Sequence, residues 1–427
     1  MMNIGGYFHN NNLGMCLSIC LLMCSCSENE QILDINQDIH PIQFTLDQSN
    51  SATRGSNLTQ ENIAEFDVWA YVRDFTNTEK LFMGTKTDGV QITRGSSHGS
   101  YSDGITTWGY QNASEIMYWT SAETAFIAVS PAISPAAGSE SEGFIVDYID
   151  PDFSTSTPSF TYQSDNVHTA ASGKNSDGEE MAGYGVFEGQ RDILIGATKV
   201  GADDNLSEKG PVTIKMHHIQ SKIKFFAKLK SSNSYQVNVG KIEICNVKLR
   251  GAFSLTPEYD ASGQATLSSV GWSDNSAVDL YGNYHVNFEY SPKKITSTSS
   301  SIQLTSDCYV IPQSITPWNS SEIAAPLSEG TYLMVYCNIY DPDVAGLESQ
   351  KWLVGTAEDD FTSKVYVPFP ANQVWEPSKT YIYTLEFGKG MDQNGTVASD
   401  KDNYIQFSVS NVEPWGADNV IYTDLKN

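Results

Sequence analysis

Apolar residues recur at every second position in short runs, and this period of two constrains the fold more than any other feature. Ile42, Phe44 and Leu46 alternate with Gln43, Thr45 and Asp47. In Ile63–Val72, Phe66, Val68 and Ala70 share one face while Trp69 and Tyr71 share the other, the pattern of a strand covered on both sides. Side chains of a strand point alternately to its two faces, so such runs read as β-strands. Clusters of Gly, Ser, Asn, Asp and Pro separate them, and no long amphipathic helical pattern interrupts them.

Further strands are expected at Lys80–Met83, Ile116–Trp119, Ala125–Ser130, Asp192–Ala197, Val237–Val247, Gly251–Leu255 and Asp307–Ile311. Tyr332–Tyr340, Lys364–Pro368, Lys379–Phe387 and Tyr404–Val409 continue the series. In the last of these Ile405, Phe407 and Val409 share a face, and Trp415 closes the element. Val212–Leu229 reads as one strand with a local distortion, because Ile219 and Ile223 depart from strict alternation. Gly95–Gly109, Pro135–Gly143 and most of Pro151–Gly189 read as loop. At 427 residues the chain exceeds one ordinary core. The expected fold is all-β: two antiparallel β-sandwich domains in tandem, 55–210 and 211–427, divided near the polar stretch Ala202–Gly210.

Lys and Arg total 25 against 51 Asp and Glu, a formal charge of −26, which disfavours nucleic acid and anionic membrane surfaces as partners. Near the N-terminus Leu13–Met23 is apolar but too short to span a bilayer as a helix; it suits the core of a signal peptide over residues 1–25. Ser25 before Cys26 resembles a bacterial lipobox with Cys26 as the lipidated residue, Cys24 being the alternative. The acidic run SENE follows. The usual basic residues are absent from Met1–Asn12.

Residues 26–54 then read as a lipidated propeptide. Its strand Ile42, Phe44, Leu46 is followed by a polar stretch ending in Arg54 and Gly55, a segment open to a trypsin-like protease. Arg94–Gly95 is a competing site. Cleavage at Arg54–Gly55 would release the strand and leave a groove with unpaired edges, a template for a strand from another chain. The candidate donor is the tail, where Val420, Tyr422 and Asp424 alternate with Ile421, Thr423 and Leu425.

Motifs of catalysis and ligand binding do not emerge. His217 and His218 are neighbours on a strand and point to opposite faces, so they read as structural histidines. No nucleophile elbow, phosphate-binding loop or HExxH motif is present. The two DPD tripeptides, in Tyr148–Phe153 and Ile339–Val344, read first as turns; calcium would require six or more oxygens from several loops. Cys245, Cys308 and Cys337 are widely spaced, which suits buried thiols, with one disulfide as the alternative. The expectation is a non-enzyme without metal or cofactor. Trp108, Trp119, Trp272 and Trp318 are candidates for stacking on sugars if the chain is instead a surface glycan-binding lipoprotein, although core or loop packing is the plainer reading of each.

Several stretches in order resemble the fimbrillin family, exported lipoproteins that build type V pili on Gram-negative anaerobes. They are Cys26 with SENE, the IQF…TRG segment, HHIQSKIKFFAKL, VIPQ (Val310–Gln313), VWEPSKTYIYTLEFG (Val374–Gly388) and IQFSVSNVEPW (Ile405–Trp415). Ser378 stands where the family usually has Gly. The resemblance implies transthyretin-like sandwich domains, transport to the outer membrane and cell surface, and protease trimming after an Arg. It also implies polymerisation by strand exchange with other pilus subunits, with host or bacterial receptors or glycans as further partners.

Overall fold

The computed structural model describes residues 40–47, 63–73, 76–132, 148–163, 173–174, 180–181, 192–203, 205–230, 234–266, 270–274, 279–286, 292–296, 298–305, 307–318, 330–357, 361, 363–388 and 405–414. Among these the regular elements are β-strands and short 3-10 turns such as Ala113–Glu115. The first lobe contains β1 (Phe44–Leu46), β2 (Glu65–Arg73), β3 (Glu79–Met83), β4 (Val90–Arg94), β5 (His98–Ser102), β6 (Thr107–Tyr110) and β7 (Thr124–Ser130). There follow β8 (Tyr148–Asp152), β9 (Ser159–Gln163), β10 (Gly173–Lys174), β11 (Glu180–Met181), β12 (Leu194–Val200), β13 (Val212–Ile214) and β14 (His217–His218). The second lobe begins with β15 (Ser221–Leu229) and β16 (Gln236–Leu255). It continues through β17 (Val270–Ser273), β18 (Leu280–Val286), β19 (Lys293–Ile295), β20 (Ile302–Gln303), β21 (Cys308–Val310), β22 (Gln313–Ile315) and β23 (Tyr332–Tyr340). Its last strands are β24 (Trp352–Val354), β25 (Lys364–Pro368), β26 (Gln373–Trp375), β27 (Lys379–Phe387) and β28 (Ile405–Pro414).

The first lobe is built on a sheet of order β14-β12-β7-β2-β4-β6-β5, with β3 also paired to β2. Its two faces are both covered, as the two-sided pattern of β2 requires. Phe66, Val68 and Ala70 enter one core with Phe126 and Ala128 of β7. Trp69 and Tyr71 enter another with Ile127 and Val129. In the second lobe a sheet carrying β15, β27 and β28 faces a sheet carrying β16, β23 and β25. Ile223, Phe225 and Ala227 of one meet Ile242, Ile244, Leu333 and Val335 of the other. This is sandwich packing of two inner faces around a shared apolar layer.

Several expectations change in the structure. Gly95–Gly109 is not a loop: it carries β5 and β6, joined by a turn in which Asp103 Oδ1 accepts from the Ile105 and Thr106 amides. Ile116–Trp119 forms no strand of the sheet; Tyr118 makes only an isolated bridge with Pro41. Val212–Leu229 is three strands rather than one. Val237–Val247 and Gly251–Leu255 belong to one long strand, β16, whose pairing with β18 shifts register between Ile244 and Val247. Past the polar stretch at 202–210, β13 and β14 still pair with first-lobe strands β1 and β12. The hairpin β8–β9 crosses over and pairs with β16.

Candidate functional site, a groove filled by residues 40–47

The segment His40–Asp47 lies across the first lobe with Ile42 0%, Phe44 2% and Leu46 3% exposed. These three side chains belong to the same apolar cluster as Phe66, Val68, Ile92, Tyr110, Phe126, Val212 and Ile214. Phe44 occupies the centre, edge-on to Phe66 at 6.4 Å, Tyr110 at 6.0 Å and Phe126 at 5.9 Å between centroids. Edge-to-face pairs of this kind add about 0.5–1.5 kcal/mol each beyond area burial. The alternation read in the sequence therefore describes three adjoining pockets.

The backbone is held more sparingly. β1 runs parallel to β13, with Phe44 opposite Val212 and Leu46 opposite Ile214. Val212 N–H donates to Gln43 O at 2.7 Å, and Asp47 N–H donates to Ile214 O at 2.9 Å. At the other end Ile42 N–H donates to Met117 O at 2.8 Å, and Trp119 N–H donates to His40 O at 3.4 Å. The 116–119 stretch thus serves as a dock for the first residues of the segment. Tyr110 Oη donates to Ile42 O at 2.9 Å, and burial raises that hydroxyl well above the usual tyrosine range, which keeps it protonated as a donor. Gln43 Nε2 donates to Ser100 O on β5. β1 is therefore an accessory strand, paired to one short neighbour and seated chiefly by its side chains.

Cys26, Arg54, Gly55 and the tail residues Val420, Tyr422 and Asp424 lie outside the described residues. The competing Arg94 sits in β4, opposite Trp108 of β6, with its guanidinium 5.3 Å from the indole centroid. Trp108 and Trp119 are buried in the first-lobe core, 2% and 4% exposed, which removes them as sugar-stacking surfaces. Trp272 packs against Phe253 and donates to Ile219 O at 2.7 Å. Trp318 packs on Tyr332 and Tyr366. His217 contacts Ala265 O at 3.3 Å and His218 pairs with Asp192 at 2.7 Å, so the two histidines do have separate partners. Cys245, Cys308 and Cys337 are buried cysteines, none of them in a disulfide. The dock at 116–119 and the partner strand β13 escaped the sequence reading; the alternation of Val212 and Ile214 was visible, but their pairing across more than 160 positions was not.

A family model described as Fimbrillin-like matches residues 187–415, more than half of the chain. The chain belongs to the fimbrillin-like family. No curated protein matches. Among solved structures the chain is similar to a fimbrial protein from Bacteroides vulgatus, at 12% identity and a TM-score of 0.48, covering 88% of this chain and 99% of that one. It is also similar to the tip fimbrial protein Mfa3 from Porphyromonas gingivalis, at 10% identity and a TM-score of 0.33, covering 83% and 94%. A fimbrial assembly protein from Parabacteroides distasonis is similar at 10% identity and a TM-score of 0.33, covering 87% and 99%.

Proposed function

We propose that the chain is a structural, adhesive subunit of a cell-surface fimbrium, without catalytic activity. In this reading it is exported as a lipoprotein through Cys26, held at the outer membrane, trimmed between Arg54 and Gly55, and assembled with other fimbrial subunits by strand exchange. The observation that carries the reading is the seating of Ile42, Phe44 and Leu46 inside the first-lobe core on a strand with only a three-residue ladder. Losing three such side chains removes about 5–9 kcal/mol of burial. The emptied groove would present the β13 edge and three apolar pockets, which together suit capture of an extended segment.

The test is trace trypsin on the purified full-length protein, followed by N-terminal sequencing and unboiled gels. A new terminus at Gly55, together with a ladder of oligomers once other subunits of the same fimbrium are added, is the expected result, and Arg54→Ala should abolish both. Ladders from uncut protein, or a cut protein that loses residues 26–54 and still stays monomeric with the other subunits present, would overturn the scheme. Lipidation is checked separately: radiolabelled palmitate should enter the wild type but not Cys26→Ala.

A further inference from the structure

The three pockets are specific enough to ask which strand they accept. The cluster holding Ile42, Phe44 and Leu46 is composed of hydrophobic residues; its Tyr110 hydroxyl is committed to Ile42 O, and the Trp119 indole N–H is a buried donor without a hydrogen-bond partner among the described residues. Its middle position is bounded by the rings of Phe66, Tyr110 and Phe126. An occupant must therefore supply aliphatic, aromatic and aliphatic groups at three alternate positions, because residues of one strand face are spaced by two.

The tail does not supply them. With Val420, Tyr422 and Asp424 facing inward, a carboxylate enters an end pocket that now holds a buried aliphatic side chain. Reversing the strand direction moves that carboxylate to the opposite end pocket and does not remove it. With Ile421, Thr423 and Leu425 inward, a threonine replaces the phenyl ring among three aromatic rings. Shifting the register further does not help: no three alternate positions between Trp415 and Asn427 are all apolar. Burying an unpaired carboxylate, or leaving a hydroxyl without a partner in an apolar pocket, opposes seating.

We infer that the groove of this subunit selects against the 415–427 tail of its own kind and takes its exchanged strand from a different subunit, one with an apolar–aromatic–apolar alternation like that of residues 42–46. This inference rests on the strand-exchange reading above. It makes the first lobe a heterotypic socket: copies of this chain do not thread tail-into-groove, and the subunit joins an assembly only where another protein supplies the strand.

The experiment uses the full-length chain with residues 49–55 replaced by the recognition sequence of a site-specific protease, so that cutting does not depend on Arg54. The cut native protein is offered fluorescent peptides and their entry is followed by anisotropy. One peptide carries residues 40–47, one carries residues 419–427, and one is the tail peptide with Asp424→Leu. The 40–47 peptide should enter, and the tail peptide should bind about a hundredfold or more weakly, the scale on which an apolar pocket discriminates small changes. The Asp424→Leu peptide should recover most of the difference. A tail peptide that matches the 40–47 peptide overturns the selectivity and leaves the exchangeable groove standing. Failure of Asp424→Leu to recover any affinity also overturns it, since the end-pocket carboxylate is then not what is refused. If no peptide enters, the exchangeable groove fails, and the inference fails with it.

Discussion

One phenyl ring at position 44 is in edge contact with three others, so its removal should leave a void that the rigid aromatic walls cannot close. Phe44→Ala is expected to cost about 3–5 kcal/mol by transfer and cavity terms. Val412→Ala, at a residue 47% exposed, should stay within about 0.5 kcal/mol of wild type. Urea titration of the two variants checks the contrast. The thiols make a second residue-level prediction. Burial pushes Cys245 and Cys337 up to about 12, so both remain protonated and inert in the folded protein. Iodoacetamide at mildly alkaline pH should label them only after denaturation. His217 gives a third. Burial lowers its pKa, opposed by the Ala265 carbonyl and aided by Lys215 and His218. Because the folded value lies below the unfolded one, the unfolded chain binds the proton first as pH falls. Its contribution to stability is complete above about pH 6.5 and declines below it. Asp260 and Asp274, held low chiefly by Ser262 and by Lys248 respectively, lose their contributions only around and below about pH 4. Tm measured from about pH 7.5 to about pH 5.5 should therefore fall less in His217→Gln than in wild type.

At the scale of elements, strands were legible where alternation carried them. β23, β25 and β27 have the bounds that the sequence pattern predicts. The two faces of β2 separate into two cores as the spacing of Phe66, Val68, Ala70, Trp69 and Tyr71 requires. What the period cannot carry is a change of sheet. Val212–Leu229 alternates on either side of a single irregularity at Ile219, and that one irregularity hides the passage from β13 to β14 to β15. The break before β15 is made by Gln220, whose buried side chain accepts from Ile193 N–H and donates to Tyr162 Oη. The β5–β6 hairpin was hidden for the opposite reason: its Gly and Ser residues give no periodic signal, and backbone pairing with an Asp103 turn makes it. The groove was legible in part, since positions 42, 44 and 46 name its pockets, whereas the parallel pairing with β13 depends on residues distant in sequence. That hairpin also bears on processing. Arg94 N–H donates to Ala64 O and Gly95 N–H donates to Thr107 O, so the Arg94–Gly95 bond is tied on both sides. A protease needs the scissile stretch free to lie extended in its own cleft. An Arg-specific protease acting on native protein should yield no terminus at Gly95, and mass spectrometry of the digest checks this.

For the molecule as a whole, the junction between the lobes is a core rather than a linker. Trp69, Tyr71, Ile127, Val129 and Ile195 from the first-lobe sheet pack with Phe153, Phe160 and Tyr162 of the crossing hairpin segment and with Phe253, Leu255, Ile219 and Ile311. Trp69 stacks on Phe153 at 3.9 Å, and Phe160 lies 4.7 Å from Phe253. β9 adds a five-residue ladder to β16, from Arg250–Gln163 to Ser254–Ser159. Ser378 Oγ donates to His218 O at 2.7 Å, tying the turn before β27 to the end of β14. A fragment of residues 211–427 would lose the partners of Phe253, Leu255, Ile219 and Ile311. At roughly 1.5–3 kcal/mol each, that is about 6–12 kcal/mol of lost burial. The sum is comparable to the entire stability of an ordinary domain, about 5–15 kcal/mol. The lobes should therefore unfold together: calorimetry of the full chain should give one transition, and Phe253→Ala should lower it without splitting it. The isolated 211–427 fragment should lack sharp near-ultraviolet circular dichroism or aggregate. Two resolved transitions in the intact chain, or a fragment that melts cooperatively at the temperature of the full protein, would mean that the junction is dispensable and that each lobe holds its fold alone.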